Sequence, residues 1–363
     1  MFIVPTYGVA VALCFVTMLC WGSWGNTQKL AAKSWRYELF YWDYVIGMVL
    51  FALLLAFTLG SIGSEGRSFL PDLAQASASS ILWILVGGII FNASNILLSA
   101  SISLAGMSVA FPLGVGIALV MGVVNNYRVA VAQGAKTGNV TLLVLGVILV
   151  VCAIVANGVA SGRKGDGDVA KADQKKGIVL ALIAGLVMSF FSSFVMRAMD
   201  TTNFVTPEAG KVTPYTAIVI FTLGVLVSNF LFNTLVMRKP FVGEPVAYSA
   251  YFKGDFKTHL VGVLGGSIWC LGTALSYITA EKAGPAVSYA LGQGAPLVAA
   301  LWGVFIWKEF KGAKKGTGVL LAAMFVLFLV GLACIVKAGD QVQNPVFKID
   351  ISIKLPFSIK LPL

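Results

Sequence analysis

The chain has 363 residues, of which 58% are hydrophobic and only 11% charged, and its formal net charge is +11. A soluble domain is about half apolar and about one quarter charged, so the composition argues against a soluble protein and indicates an integral membrane protein. The basic residues lie in short links between apolar runs and form no stripe, so no nucleic-acid partner is expected.

Ten runs of about 20 mainly apolar residues predict ten transmembrane helices, numbered here as spans 1 to 10. They cover residues 7–27, 42–60, 80–102, 107–127, 140–160, 177–197, 214–236, 259–280, 286–307 and 316–337. The polar link 161–176 divides them five and five. The organisation we predict is a first five-helix unit over 1–160, this link, a second unit over 177–337, and a disordered C-terminal tail over 338–363.

An internal repeat relates the two halves of the chain. The segments 105–120 (AGMSVAFPLGVGIALV) and 283–298 (AGPAVSYALGQGAPLV) agree at eight of sixteen positions, at a constant offset of 178. Spans 3 and 4 therefore correspond to spans 8 and 9. Because five is odd, the second unit enters the bilayer from the opposite face. The predicted fold class is all-α, with ten transmembrane helices in two inverted five-helix repeats, an architecture found in many secondary transporters.

The distribution of Lys and Arg predicts the orientation. Sixteen lie in the links that follow odd-numbered spans, and six lie in the N-terminal segment and the links that follow even-numbered spans. The positive-inside rule then places the links after odd-numbered spans in the cytoplasm and both termini outside.

Polar and aromatic side chains inside the spans are candidates for a solute site. Aromatic faces stack on planar or sugar-like ligands, and amides supply directed hydrogen bonds. Span 1 carries aromatic and amide side chains on one helical face, which could instead belong to an interfacial aromatic belt. Span 3 carries a stripe of amides, which could instead form hydrogen bonds between helices. The candidates are Trp21, Trp24 and Gln28 in span 1, Asn92 and Asn95 in span 3, and Thr273 in span 8 as the repeat partner of Asn95.

Spans 4 and 9 hold the centre of the repeat, where Gly and Pro weaken an α-helix. A matched pair of interrupted spans in the two halves is a good pointer to a transporter's binding site. The alternative is close helix packing through small residues. The candidate helix-break or gating residues are Pro112, Gly114 and Gly116 in span 4 and Gly292, Gly294 and Pro296 in span 9, and Tyr289 and Gln293 are added as solute-binding candidates.

The candidate for proton coupling is Asp43, near the start of span 2, although a carboxylate there is also a favourable partner of the helix dipole. His259 is interpreted as an interfacial residue in preference to a proton relay. The chain contains no catalytic motif and no Cys/His cluster, so we expect neither an enzyme nor a metal site. No cofactor is expected beyond a proton gradient.

The opening of the chain resembles a known family. Phe2-Ile-Val, Tyr7-Gly8, Trp21-Gly-Ser-Trp24 and Asp43-Tyr44 are similar to the plant ureide permeases and their bacterial relatives, within the drug/metabolite transporter superfamily. These relatives merge with the glucose/ribose porter branch, whose members take up sugars. Plant members have a larger central loop than link 161–176, so the resemblance implies a multi-pass protein of the bacterial inner (plasma) membrane. It also gives Trp21, Trp24 and Asp43 added weight as functional residues.

The resulting expectation is a secondary active transporter that moves a small uncharged polar solute by alternating access, coupled to protons. Ureides or nucleobases and sugars are both open as substrates, and a sugar-specific porter or a drug and metabolite efflux permease are the alternatives. Efflux of cations would call for a buried carboxylate, and no span centre holds Asp or Glu. The partners expected are the lipid bilayer, the solute and a second copy of the chain in a homodimer.

Overall fold

The computed structural model describes residues 1–32, 35–135, 137–163 and 171–340. In these ranges the regular structure is helical, apart from one isolated β-bridge between Met199 and Val212. Ten of the described helices are long and apolar enough to cross a membrane, which confirms the predicted all-α membrane fold. The chain is therefore a multi-pass integral membrane protein in contact with the lipid bilayer.

The helices follow the predicted spans closely. They are α1 (Tyr7–Ala31), α2 (Tyr37–Phe57), α3 (Phe69–Gln75), α4 (Ala78–Ala105), α5 (Met107–Ala132), α6 (Val140–Ser161), α7 (Lys171–Ala198), α8 (Pro214–Arg238), α9 (Tyr248–Tyr251), α10 (Phe256–Ile278), α11 (Ala280–Ala283), α12 (Pro285–Gly292), α13 (Ala295–Leu301), a π-helical turn (Trp302–Ile306) and α14 (Thr317–Asp340). Span 9 thus consists of α12, α13 and the π-helical turn. The short helices α3, α9 and α11 lie in the links.

Some boundaries differ from the predicted ones in a consistent direction. Helix α2 begins at Tyr37 instead of residue 42, and α7 begins at Lys171 instead of residue 177. Hydropathy detects only the apolar part of a span, whereas the helical hydrogen bonds continue into the polar residues at its end. Helix α14 continues to Asp340, and the remainder of the predicted tail, 341–363, lies outside the described residues.

The offset of 178 residues is repeated in the local backbone structure. Ser77 caps α4 and Asp255 caps α10, each by accepting a hydrogen bond from the backbone N–H three residues further on. The corner that follows is formed by Gly106 in one half and Gly284 in the other, both with φ of 80°. An L side chain is strained at this φ, so both corners require glycine. The α4–α5 and α10–α12 corners are therefore equivalent in conformation as well as in sequence.

The two five-helix units are interlocked. Helix α4 packs against α7 and α8 of the second unit, and α10 packs against α1 and α2 of the first. Helices α2 and α8 contact each other, as do α5 and α12 and also α6 and α14. Each of these contacts between spans has a counterpart under exchange of the two units, as a pseudo-twofold relation requires. The opposite orientation of the units in a bilayer stays a prediction.

Two close helix contacts fix the register of this relation. A Cβ added to Gly47 of α2 would collide with the backbone of Val263 in α10, and one added to Gly224 of α8 would lie 2.6 Å from the carbonyl oxygen of Leu85 in α4. Val263 and Leu85 are 178 residues apart, so Gly47 corresponds to Gly224. Helix α2 therefore corresponds to α8 at an offset of 177, one residue less than for α4 and α10.

Candidate functional site

A cavity lies where the two units meet. Its lining comes from six spans, and the described lining residues include no charged side chain. The residues that line it are Trp21, Trp24, Phe91, Asn95, Leu98, Phe111, Val115, Met188, Phe191, Trp269, Gln293 and Ala295. We call this the central cavity. Its walls are mainly aromatic, and its polar groups are two uncharged amides, so it suits a neutral ligand with a flat or ring-shaped face.

Aromatic rings form the middle of the central cavity. Phe91 and Trp269 have ring centroids 4.1 Å apart, and Trp21 stacks on Trp269 at 6.3 Å with an interplanar angle of 16°. The indole Nε1 of Trp21 donates a hydrogen bond of 3.0 Å to Oγ1 of Thr273. Thr273 is therefore a residue that orients Trp21, while Trp21 itself lines the cavity.

The two amides of the central cavity come from different halves. Gln293 lies at the break between α12 and α13, and it is 4% exposed. Asn95 lies in α4 and donates a hydrogen bond of 3.2 Å to the Tyr41 hydroxyl. An amide carries both donors and an acceptor, so this pair can bond to the N–H, C=O or O–H groups of a neutral polar solute.

The central cavity is small in this conformation. Its volume is about 30 Å³, and a cavity holds one water once it exceeds roughly 10–15 Å³. A ring-shaped solute therefore needs the surrounding helices to move apart before it can enter, as a binding site between two mobile units would allow.

Besides Thr273, three predicted solute-binding residues lie outside the central cavity. Gln28 donates a hydrogen bond of 3.3 Å to the backbone of Ser99 and lines a separate pocket of about 380 Å³ near Arg36. Asn92 donates to the carbonyl oxygen of Val225 and to Oγ of Ser228, and so joins α4 to α8.

Tyr289 is the third. It is fully buried beside Trp21, with ring centroids 6.4 Å apart in an edge-on arrangement, and its hydroxyl donates to the carbonyl oxygen of Ala118. Tyr289 therefore packs against Trp21 outside the cavity lining. Whether these three residues act on a solute stays a prediction.

The predicted helix break is present in span 9 but absent from span 4. Helix α12 ends at Gly292 and α13 begins at Ala295, so Gln293 and Gly294 lie at the break. Pro296 lies in the first turn of α13, where its missing N–H costs nothing. Helix α5 continues without interruption through Pro112, Gly114 and Gly116. Pro112 lies early in that helix, so it removes a single hydrogen bond close to the helix start.

The glycines of spans 4 and 9 serve close helix contacts. Helix α7 approaches α5 so closely that a Cβ on Gly185 would collide with the Gly114 carbonyl oxygen, and a Cβ on Gly292 would lie 2.8 Å from the Trp21 ring. In α5 the small residues thus serve close helix packing, which was the alternative to a helix break. In span 9 the small residues serve close packing, and the helix is also broken between α12 and α13.

A polar cluster surrounds Asp43 where the second turn of α2 meets the first turn of α10. The Asp43 side chain is 2% exposed, and its two carboxylate oxygens lie 2.9 and 3.0 Å from Nδ1 of His259. The Tyr251 hydroxyl donates a 2.5 Å hydrogen bond to the same carboxylate. Burial, followed by the bond to Asp43, raises the pKa of Tyr251 above its usual range, so this phenol stays a donor. We call these three residues the Asp43 cluster.

The interpretation of His259 as a simple interfacial residue overlooked this pairing. His259 is the only histidine of the chain, and it lies one turn after the Asp255 cap of α10. The repeat register places Ile81 at the position equivalent to His259, and Ile220 at the position equivalent to Asp43. The Asp43 cluster therefore has no polar counterpart at the equivalent positions of the repeat.

The Asp43 cluster is one residue from the wall of the central cavity. Tyr44 follows Asp43 in α2, and its ring centroid is 5.0 Å from that of Trp24, which lines the cavity. Tyr44 is fully buried. Direct ring contact therefore links the residue that follows Asp43 to the wall of the central cavity.

The end of α1 is closed onto the end of span 9. Lys29 forms an ion pair of 2.7 Å with Glu309 and lies 4.4 Å above the Trp307 ring. The indole N–H of Trp307 donates to Asn26 at 2.7 Å. These contacts hold the end of α1 against the end of span 9, and we call them the Lys29 closure.

The sequence analysis identified Trp21 and Trp24 but missed the other aromatic residues of the cavity wall. Phe91, Phe191 and Trp269 lie within apolar runs, where aromatic residues equally suit a lipid-facing or packing position. One signal was present, because Phe91 and Trp269 are separated by the repeat offset of 178. An aromatic residue at both equivalent positions near the repeat centre is what a site on the pseudo-twofold axis requires.

Comparisons with known proteins agree with this architecture. The chain is 22% identical to ureide permease 1 of Arabidopsis thaliana, over 94% of this chain and 100% of that protein. It is 24% identical to the probable glucose uptake protein GlcU of Priestia megaterium, over 64% of this chain and 72% of that protein. It is 27% identical to the L-rhamnose-proton symporter of Cronobacter sakazakii, over 73% of this chain and 74% of that protein.

The fold and the family follow from two further matches. A solved crystal structure is similar with a TM-score of 0.57 at 15% identity, covering 93% of this chain and 99% of that one, which shows a shared fold. The family model described as Ureide permease matches residues 40–176 and 163–338, most of the membrane-spanning part. The chain belongs to the ureide permease family.

Proposed function

We propose that this protein is a secondary active transporter, not an enzyme, that moves a small uncharged polar solute across the membrane by alternating access. The observation that carries the proposal is the central cavity, with its aromatic walls, the two amides of Asn95 and Gln293, and no charged residue in its described lining. Relatives named as ureide permeases, a glucose uptake protein and a proton symporter support transport of such solutes.

The chemistry of the central cavity favours a neutral ring-shaped solute. Trp21 and Trp24 offer ring faces for stacking, and amides bond equally well to ureides, nucleobases and sugar hydroxyls. A charged solute would lose its hydration without meeting a counter-charge, which costs several kcal/mol. The cavity therefore disfavours efflux of cationic drugs, and it leaves ureide-like compounds and sugars as the two substrate classes.

Alternating access is supported by the interlocked pseudo-symmetric units. The cavity lies between them, and the Lys29 closure seals one end of the interface between α1 and span 9. A solute reaches that side only when Lys29 and Glu309 separate. Because both partners are partly exposed, with 41% and 21% of the side chain accessible, separation costs about 1 kcal/mol or less for the ion pair itself.

Proton coupling is assigned in this proposal to the Asp43 cluster. Uptake of a proton by the Asp43 carboxylate would neutralise a charge that has no counterpart at the equivalent position of the second unit, which is Ile220. Besides His259, the only side chain bonded to the Asp43 carboxylate is the Tyr251 phenol, among the described residues. Protonation of the Asp43 carboxylate would remove its charge from the contact between α2 and α10, and Tyr44 would carry the resulting movement of α2 to the cavity wall at Trp24.

The proposed location is the inner (plasma) membrane of a bacterium. The short link 161–176 and the similarity to bacterial uptake proteins support it. A homodimer is proposed as the assembly. Light scattering of the detergent-solubilised protein, with the detergent mass subtracted, tests the assembly, and a monomer mass would exclude the homodimer.

Uptake into proteoliposomes tests the function. Labelled allantoin, uracil, glucose and rhamnose are each offered with and without an inward proton gradient. Accumulation of one class that depends on the gradient supports the proposal, and Gln293→Ala is expected to abolish it while the protein still inserts. A matched variant, Cys152→Ala on the exposed face of α6, keeps wild-type uptake. Failure to accumulate any of the four, together with export of cationic dyes, would replace the proposal with drug efflux.

A further inference from the structure

A large recess lies at the other side of α7, away from the small central cavity. It has a volume of about 840 Å³ and is formed by the last turns of α5 and α7 together with the start of α4. Its lining includes Arg128, Arg197 and Lys211, and it includes no Asp or Glu among the described residues. We call it the lateral groove.

The lateral groove is separate from the solute pathway. On α7 it is lined by Phe190, Phe194 and Arg197, which follow one another at i, i+4 and i+7. The central cavity uses Met188 and Phe191 of the same helix. At 100° per residue, these two sets of side chains lie roughly 120° apart around α7. The groove therefore faces outward from the bundle.

Among the described residues, the cationic groups of the lateral groove have no acidic partner. Neither Arg128 nor Arg197 forms an ion pair with any residue that the structure describes, and Lys211 donates only to the backbone oxygen of Arg197. The Arg197 guanidinium lies 4.9 Å from the centre of the Trp83 ring and 5.8 Å from that of Phe194. Stacking of this kind holds the guanidinium in place and leaves its N–H edge available for an anion.

The groove changes from cationic to apolar with depth. Arg197 is the second-last residue of α7, at the end of the span, and Phe190 lies seven residues deeper, about 10 Å along the helix. Phe190 is 37% exposed, so an apolar surface continues below the cations. A phosphodiester above and acyl chains below is the arrangement of a membrane phospholipid, whereas a soluble anion has no use for the apolar part.

We propose that the lateral groove binds the phosphodiester headgroup of an anionic phospholipid, with Arg128 and Arg197 as the phosphate ligands and Lys211 beside them. Phe190 and Phe194 contact the upper part of the acyl chains. The Lys and Arg count places this end of the bundle outside, so the lipid belongs to the outer leaflet. The proposal stands apart from the identity of the transported solute.

Native mass spectrometry of the full chain in detergent tests this site, with phosphatidylglycerol and phosphatidylcholine added separately. The wild-type protein should retain phosphatidylglycerol preferentially. The double variant Arg128→Gln/Arg197→Gln should bind it roughly tenfold or more weakly, because two charge-assisted contacts are lost. Arg128→Gln alone should show an intermediate loss. Arg128 is exposed and bonds to no described residue, so this variant keeps the fold.

The matched control removes the same charge elsewhere. Arg238→Gln/Lys239→Gln affects two exposed basic residues at the end of α8, and it should leave phosphatidylglycerol binding unchanged. Equal binding of the two lipids, or an equal loss in this control, would overturn the proposal. Inorganic phosphate is added as a competitor. Displacement of the lipid by millimolar phosphate, with tight binding of phosphate itself, would instead assign the groove to a soluble anion.

Discussion

Phe91 and Trp269 pack ring against ring at the middle of the molecule, with centroids 4.1 Å apart and planes inclined by 31°. The two residues are also each other's equivalents in the repeat, 178 positions apart. A residue that contacts its own equivalent lies on the pseudo-twofold axis. The central cavity is therefore centred on the axis about which the two units are related, where a rearrangement of either unit changes the binding site directly.

A small and a large truncation of Trp269 should distinguish its role in core packing from its role in solute binding. Trp269→Phe makes the pair symmetric and should retain uptake with reduced affinity. Trp269→Ala removes the ring, which costs about 3–5 kcal/mol in a well-packed core, and should abolish uptake. Thermal unfolding in detergent and uptake into proteoliposomes measure the two effects. Wild-type uptake by Trp269→Ala would show that the ring has no part in the site, and Leu82→Ala on the exposed face of α4 serves as control.

The close contact of α10 with α2 should be sensitive to a single methyl group. A Cβ on Gly266 would collide with the backbone carbonyl of Tyr44, and a backbone atom cannot rotate away. Gly266→Ala should therefore destabilise the protein by about 1–3 kcal/mol. Gly158→Ala in α6 meets no atom within 4 Å and should be neutral or stabilising by about 0.5–1 kcal/mol. Unfolding midpoints measure both, and equal midpoints for the two variants would contradict the assigned contact.

The fold could be predicted from the sequence because its determinants are local. Each span is recorded in the apolar composition of about 20 neighbouring residues, and the corner glycines Gly106 and Gly284 appear in the sequence as a repeated Ala-Gly. The errors lie at polar helix ends such as Lys171, where the helix continues although the residues are not apolar.

The candidate site was less predictable, since a side chain's surroundings depend on distant residues. Asn92 and Asn95 share a helical face in the sequence, yet Asn92 bonds to Ser228 in α8 while Asn95 reaches the cavity. The choice depends on the rotation of α4 against α8, which no local pattern records. His259 and Asp43 are likewise 216 positions apart, and no local pattern links them.

Asn92 and Asn95 should respond differently to removal of their amides. Asn92→Ala removes the acceptor of the Tyr41 hydroxyl proton and the donor to Ser228 Oγ, which costs about 1–3 kcal/mol of stability, and the remaining folded protein should bind solute normally. Asn95→Ala should weaken solute affinity instead. Uptake as a function of solute concentration, together with unfolding midpoints, separates the two results. Loss of affinity in both variants would mean that Asn92 also acts on the solute.

Neutralising Asp43 should uncouple transport from the proton gradient. Asp43→Asn keeps a side chain of nearly the same shape but cannot bind and release a proton. We expect gradient-driven accumulation to fall roughly tenfold or more, while exchange of labelled for unlabelled solute continues without a gradient. Tyr251→Phe, which removes one donor, should reduce accumulation less. If Asp43→Asn still accumulates solute in response to the gradient, coupling lies elsewhere; if it also loses exchange, Asp43 has a structural role.

Reversing one charge of the Lys29–Glu309 pair should open that end of the bundle. Glu309→Lys places two cations beside the Trp307 ring, so the ion pair and its cation–π contact, each worth about 0.5–1 kcal/mol, are replaced by repulsion. Labelling of a Ser23→Cys reporter by a hydrophilic maleimide should become faster. The swapped double variant Lys29→Glu/Glu309→Lys should restore slow labelling, and Asp340→Lys at the exposed end of α14 should leave it unchanged. Fast labelling that persists in the swapped variant would show that this pair does not control the closure.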